Sequence, residues 1–561
     1  MPSARSVSRW GSRSICRAVL VVICPILIQF HLNSVAAQEA AQRELPPGSQ
    51  CATCHAKVVE TYSHTSMAKA SGAAADGLIS GEFRQPKSGI LYRVYEESGQ
   101  VWLSFSSPHD PEVQGKRRLQ YYIGSGRRGR TYLFTIDQYW FESPVNWYGQ
   151  KQVWDMTPAY QDAREAPLNL PVAASCLHCH TTGMSAPAPG TGNRYPSPPF
   201  AHAGVTCARC HGEASAHLHG TGTILNPAKL PPERRDDICR QCHLEGDVAI
   251  EQQGKQVYDF RPGDRLSDYV RYFVKANATG QGLRAASQFE ALWQSACKRK
   301  SGDAMTCTSC HDPHSTPSAQ ERTEYYREKC LACHGKKFAA KHHPQGRDCV
   351  GCHMPRIPSS DVAHTQATDH RILRRPDVKF EDADLNQPMQ LVEFPPRKHD
   401  PPPLRDLALA WASLAKQGLP DARREAQELL PKAVAQNPDD ASLLAAYAFQ
   451  QQERGETTQA RALYERSLKA DPNQSDAETN LAVIEAKKGN LERALELWKD
   501  AFRRQPWQSA IGMDLALTYC QAGRIDDART VTMRMLEFNP DFSAGKAMLK
   551  QLNSNRPAGC R

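Results

Sequence analysis

Beyond its N-terminal extension, the 561-residue chain has no apolar run long enough for a membrane-spanning helix, which takes about 20 residues. Hydrophobic residues reach only 40% and aromatics 8%. A single large core is therefore excluded, and two or three domains are expected. The net charge is +9, but no basic stripe or nucleic-acid motif accompanies it. Nucleic-acid binding is set aside on that ground. Four of the positive charges, Arg5, Arg9, Arg13 and Arg17, sit in an extension with no acidic residue, and the rest of the chain carries +5.

That extension reads as a signal peptide over residues 1–37. Its Arg-rich stretch precedes an apolar segment at 18–32, and Ser34-Val35-Ala36-Ala37 offers small residues for cleavage. The apolar segment is short for a membrane anchor, and Pro25 interrupts it. Ile23 is too large for the position before a lipidated Cys24. A periplasmic or otherwise exported protein without an integral membrane domain is expected.

Cysteine is what the chain has in excess, with 19 residues. Fourteen fall into seven Cys-x-x-Cys-His motifs. These are Cys51-Ala-Thr-Cys54-His55, Cys176-Leu-His-Cys179-His180, Cys207-Ala-Arg-Cys210-His211 and Cys239-Arg-Gln-Cys242-His243. They continue with Cys307-Thr-Ser-Cys310-His311, Cys330-Leu-Ala-Cys333-His334 and Cys349-Val-Gly-Cys352-His353. Zinc sites or disulfides would account for the Cys pairs but not for a His after every second Cys. Covalent haem c accounts for both: two thiols add to the vinyl groups, and the adjacent imidazole binds the iron as proximal ligand. Seven haems are expected. Between neighbouring motifs late in the chain there is room for little more than a wrap around a macrocycle, so the haems should pack together and form much of the core.

Of the remaining cysteines, Cys16 and Cys24 lie in the extension and Cys297, Cys520 and Cys560 elsewhere. A Cys520–Cys560 disulfide competes with buried free thiols, and the free thiols are preferred. Enough His remains for a second imidazole at every iron. The candidate distal ligands are His64, His217, His314, His342, His343, His364 and His370. His178, His202 and His219 are weaker candidates, His178 being able to face solvent; His109 and His399 read as surface residues. Met67, Met156 and Met354 read as packing residues rather than axial ligands.

Between the first two motifs the pattern changes to alternation, as in Ile90-Leu-Tyr-Arg-Val-Tyr and Val101-Trp-Leu-Ser-Phe, with Ser98-Gly99 as a turn. Gly124-Ser-Gly126-Arg-Arg-Gly129 matches a dinucleotide fingerprint by letter. A strand-like Thr131-Tyr-Leu-Phe-Thr follows it, so a hairpin turn is expected instead. Towards the C-terminus, Pro438, Pro472, Pro506 and Pro540 repeat every 34 residues, as do Gly455, Gly489 and Gly523 and the set Ala426, Ala460, Ala494 and Ala528. This is the tetratricopeptide period. Gly418 stands three residues out of step, and residues 543–552 read as a cap.

The expected architecture is multidomain and mainly α with a small β segment. A haem-packed, loop-rich cytochrome domain precedes an all-α tetratricopeptide solenoid. The segments are 1–37 signal peptide, 38–80 first haem segment, 81–160 β-rich segment, 161–375 haems two to seven, 376–402 Pro-rich linker and 403–561 repeats.

At Cys207-Ala-Arg-Cys210-His211-Gly212, Cys307-Thr-Ser-Cys310-His311-Asp-Pro-His314 and Cys349-Val-Gly-Cys352-His353-Met-Pro355 the chain resembles the cytochrome c-552/c-554-like multihaem proteins with doubled motifs. Ile123-Gly-Ser-Gly126 with Thr131-Tyr-Leu133, and Thr368-Asp-His370-Arg-Ile372, fit the same group. In particular it resembles bacterial proteins that join such a domain to tetratricopeptide repeats. The resemblance implies periplasmic electron transfer and no specific substrate. Related nitrite reductases carry Cys-x-x-Cys-Lys, which is absent here. The leading expectation is an exported electron carrier whose repeats dock a redox partner protein. The alternative is an oxidoreductase acting on a small nitrogen or sulfur oxyanion at one open haem iron. The isolated first haem is placed there, with Arg127, Arg128 and Arg130 attracting the anion. A third reading is a scaffold in which the haems sense redox state or a gas.

Overall fold

The computed structural model describes residues 49–276, 283–335, 337, 342, 348–375, 389–396 and 401–554. The expected signal peptide, His343, His399, Cys560 and most of the linker lie outside them.

Alternating apolar residues make residues 71–142 a seven-stranded antiparallel sheet. The strands are β1 (Ser71–Ala73), β2 (Gly81–Arg84), β3 (Leu91–Glu97), β4 (Gln100–Ser106), β5 (Gln114–Ile123), β6 (Thr131–Ile136) and β7 (Tyr139–Glu142). They pair in the order β2-β3-β4-β5-β6-β7, with β1 against β5. Glu97 pairs with Gln100 across Ser98 and Gly99, both at positive φ. That is the two-residue turn whose twist matches a right-handed ribbon. The inward faces of Tyr92, Leu103, Phe134 and Phe141 are fully buried.

The β5–β6 connection is the Gly-Ser-Gly-Arg-Arg-Gly segment, and it is a hairpin loop as expected. Gly124 and Gly126 take positive φ. A Cβ on Gly124 would stand 2.5 Å from the Gly129 carbonyl oxygen, and one on Gly149 would stand 2.0 Å from that of Gly126. This loop path therefore requires glycine at both positions.

The motif-bearing region is built of short helices separated by loops. Three small sheets brace it: Thr181–Met184 against Phe200–Ala203, Arg356–Pro358 against Gln366–Thr368, and Val248–Glu251, Val270–Lys275 and Leu391–Phe394 in that order. The last strand corrects the expectation of a linker across 376–402. Leu391, Glu393 and Phe394 are buried in it.

The repeats form helical hairpins from Leu404–Lys416 to a final helix at Ser543–Leu552. Ala426, Ala460, Ala494 and Ala528 are buried where paired helices cross. Gly418, Gly455, Gly489 and Gly523 all take positive φ just past a helix end, the position that suits Gly. Gly418 is out of step because the second helix of its hairpin, Pro420–Gln436, has 17 residues where the next two hairpins have 14.

The array is joined to the rest of the chain at both ends. Its first helix packs on the three-stranded sheet, with Val248, Phe273 and Leu391 in one core with Ala408 and Trp411. There Asp406, almost fully buried, meets Arg405 at 2.8 Å and Arg271 at 3.2 Å. At the other end, Phe538 enters the core of the large sheet. Its ring lies 5.9 Å from those of Tyr139 and Phe141. The Tyr139 hydroxyl donates to the Arg503 carbonyl at 3.0 Å, and the Ala166 N–H to Asp541 at 2.8 Å.

Candidate haem-binding site

Six of the seven motifs occupy helical turns, and the fifth a 3-10 turn. Helical spacing i, i+3, i+4 puts both Cys and the His of a motif on one face, which is what attachment along one edge of a macrocycle requires. Motifs two, four and six end their helices at His180, His243 and His334.

An iron held between two imidazole nitrogens sets the ring centroids about 6 Å apart. Four motif imidazoles face a second imidazole at that separation. His55 lies 6.5 Å from His217 at 25° between planes, and His211 lies 6.0 Å from His314 at 12°. His311 lies 6.2 Å from His370 at 31°, and His353 lies 6.1 Å from His342 at 25°. The donor set therefore fits haem c. The pairs reach across motifs: His217 follows the third motif yet faces the first, and His314 follows the fifth yet faces the third.

Other candidates sit differently. His364 directs Nε2 to Asp155 at 2.6 Å and stacks edge-on against Tyr148. It faces no imidazole among the described residues. His64 and His219 are exposed, and His219 turns Nδ1 to the Ser215 carbonyl at 2.7 Å. Met156 is buried in the β core. His178, expected able to face solvent, is buried and held by Arg209. The Arg209 guanidinium donates to the His178 carbonyl at 2.9 Å and to Gln241 at 2.8 Å. These three residues fill the middle positions of the second, third and fourth motifs. Burial, with the Arg209 charge, pushes the His178 imidazole down to about 3 and keeps it neutral.

Thiols of different motifs lie near enough to act on one another electrostatically: Cys51 and Cys207, Cys179 and Cys242, Cys239 and Cys307, and Cys330 and Cys349. Cys520, expected as a buried free thiol, is disulfide-bonded. The other described cysteines are free, so its partner lies outside the described residues. The expectation failed because burial of Cys520 alone does not distinguish the two states.

Hydrogen bonds orient the ring nitrogens that face away from the partner imidazole. His211 Nδ1 meets the Leu225 carbonyl at 2.9 Å and His353 Nδ1 the Leu373 carbonyl at 2.6 Å. His243 Nδ1 meets the Gln288 side chain at 3.0 Å. His180 Nδ1 is buried without a partner. Neither His180 nor His243 stacks on another imidazole among the described residues. Beside the second motif, Glu142 is half-buried with Oε1 3.7 Å from Cys176 Sγ, and desolvation pushes its carboxyl up to about 7. Arg130 does not join Arg127 and Arg128. Its guanidinium lies 3.7 Å over the Tyr122 ring and donates to the Gly77 carbonyl at 2.7 Å.

The family of cytochrome c554 and c-prime matches residues 148–212, the doubled CXXCH motif matches 300–339, and the tetratricopeptide repeat matches 485–552. No curated protein matches the chain. Among solved structures, MamA of strain AMB-1 is 17% identical over 27% of this chain and 78% of its own, at a TM-score of 0.24. PilF of Pseudomonas aeruginosa is 20% identical over 27% of this chain and 67% of its own, also at 0.24. The motifs, the family matches and the helical hairpins agree: the chain carries a cytochrome c554/c-prime domain, a doubled CXXCH motif and a tetratricopeptide repeat, the make-up of a multihaem cytochrome joined to such repeats.

Proposed function

We propose that this haem-binding electron-transfer protein is exported, carries seven haems, and meets a redox partner protein through its repeats. Bound haem supplies a reversible one-electron couple at each motif. The chain's own part is to attach, orient and bury it. The Cys pairs provide the anchors, and His55, His180, His211, His243, His311, His334 and His353 the proximal nitrogens. His217, His314, His370 and His342 provide distal nitrogens to the first, third, fifth and seventh sites. The four imidazole pairs at 6.0–6.5 Å carry this reading. The nearness of thiols in motifs one and three, two and four, four and five, and six and seven supports close packing of the sites. Export rests on the signal-like N-terminus, and no described helix is long and apolar enough to cross a membrane. Tetratricopeptide arrays commonly bind proteins on their concave face.

The oxidoreductase reading is kept because, among the described residues, His180 and His243 stack on no second imidazole. It moves from the first site, where His217 faces His55, to the second or fourth. Low-temperature EPR of the oxidised holoprotein, CO binding after reduction and intact mass together test both readings. Seven haem masses with only low-spin signals and no CO adduct would support the carrier. A high-spin, CO-binding fraction of the iron would favour the oxidoreductase. Fewer than seven haem masses would refute the full complement.

A further inference from the structure

Arg209 lies between the two cysteines of the third motif, and its side chain leaves that motif to tie the second and fourth together. One guanidinium nitrogen donates to the His178 carbonyl at 2.9 Å and to the Gln241 side-chain oxygen at 2.8 Å. The same nitrogen stands 3.1 Å from both ring nitrogens of His178. Its two N–H groups are already used, so the imidazole packs against the charge rather than accepting from it. His178 and Gln241 are 1% and 4% exposed. Gln241 is itself held, donating Nε2 to the Ile238 carbonyl at 2.9 Å. Cys179 Sγ lies 3.9 Å from the Gln241 carbonyl oxygen, and the Thr206 N–H donates to Thr182 Oγ1 at 2.9 Å. Motifs two, three and four thus meet around one guanidinium, positioned by buried groups on both sides.

That guanidinium is a full positive charge without a negative partner. Arginine keeps its proton throughout the working pH range. Among the described residues Arg209 forms no ion pair: it touches a backbone carbonyl, an amide and an imidazole, none of them anionic. Buried cations nearby in the chain are paired, Arg240 with Asp237 and Lys298 with Asp236. Haem iron gains one positive charge on oxidation. A cation held close by, away from bulk water, makes that step harder and reduction easier. Cys179 and Cys242, anchors in the second and fourth motifs, both lie within reach of the Arg209 charge.

We propose that Arg209 is a potential-setting residue: an unpaired charge built in between the second, third and fourth attachment sites, which raises the reduction potential of the haems there and biases electrons within the protein toward them. This rests on haem attachment at those three motifs. The charge, and not the cross-tie alone, produces the effect.

Intact mass and haem-peptide mapping of the wild-type holoprotein come first, and absence of haem at motifs two to four overturns the reading beneath the proposal. Redox titration with optical and EPR detection then compares wild type, Arg209→Gln and Arg209→Lys. The Gln variant keeps a donor and loses the charge; the Lys variant keeps the charge and loses the fork. The expected result is a fall of about tenfold in the reduction equilibrium of at least one haem component in Arg209→Gln, about 59 mV for a one-electron couple, with Arg209→Lys near wild type. Fully loaded Arg209→Gln protein with every component within about threefold of wild type overturns the proposal. So does an equal fall in both variants, which assigns the effect to the cross-tie. Should Arg209→Gln fail to load, Arg209→Met is read in its place by the same criteria. Failure of both neutral variants to load assigns the residue to assembly and also overturns the proposal.

Discussion

Replacing Phe538 by Ala tests whether the repeats and the β sheet are one folding unit. Phe538 belongs to a repeat helix by sequence, yet its ring is fully buried in the sheet core against Tyr139 and Phe141. Truncating a buried Phe costs about 3–5 kcal/mol through lost burial and the cavity left behind. Two edge-on aromatic contacts place the cost in the upper part of that range, each such pair adding about 0.5–1.5 kcal/mol. Met533, in the same helix, is 53% exposed, so Met533→Ala should stay within about 0.5 kcal/mol. Denaturant unfolding of the holoprotein is followed at once by near-UV circular dichroism and by far-UV helix signal. One shared transition, moved by Phe538→Ala and not by Met533→Ala, is expected. A helix transition that separates from the aromatic one, with the sheet unaffected by Phe538→Ala, would refute the shared core.

His217→Ala and His314→Ala should each convert one low-spin haem to a high-spin, CO-binding one, read by EPR and difference spectra; an unchanged spin state would remove that residue from the iron. Glu142 takes its proton more readily folded than unfolded, its carboxyl being raised by burial to about 7 from 4.5. Its contribution is therefore full below pH 4.5 and is lost as pH rises through 7, by at most about 3 kcal/mol. Glu142→Gln should flatten that part of the stability–pH curve in denaturant titrations. Asp406→Ala should cost about 1–3 kcal/mol where the array meets the small sheet, since Arg405 and Arg271 each lose one buried partner but keep Asp440 and Glu393, both at 2.7 Å. Equilibrium unfolding checks this, and a loss below about 0.5 kcal/mol would mean that those two carboxylates suffice.

The Cys-x-x-Cys-His motifs were legible because haem attachment demands a fixed local spacing. So were the Ser98-Gly99 hairpin and the 34-residue period, each set by backbone geometry within a few turns of chain. The pairing of His55 with His217 was not legible, because nothing local marks a contact 162 residues away. The strand at Leu391–Phe394 was masked by prolines on either side, although the burial of Leu391, Glu393 and Phe394 fits its short apolar pattern. The packing of Trp507 and Phe538 against Phe141 of the sheet was not legible either. Their bulk at the joints between hairpins was the available signal that those joints are covered.

The crossed imidazole pairs also order events in time. A ribosome, and any channel the chain threads N-terminus first, delivers His55 long before His217, and His211 long before His314. On the proposed ligation, each of these sites would wait for a segment not yet delivered, the third for a residue beyond the fifth motif. Maturation would then be a sequence of deferred closures from the N-terminus onward. A chain interrupted before residue 217 would leave even its earliest site unfinished.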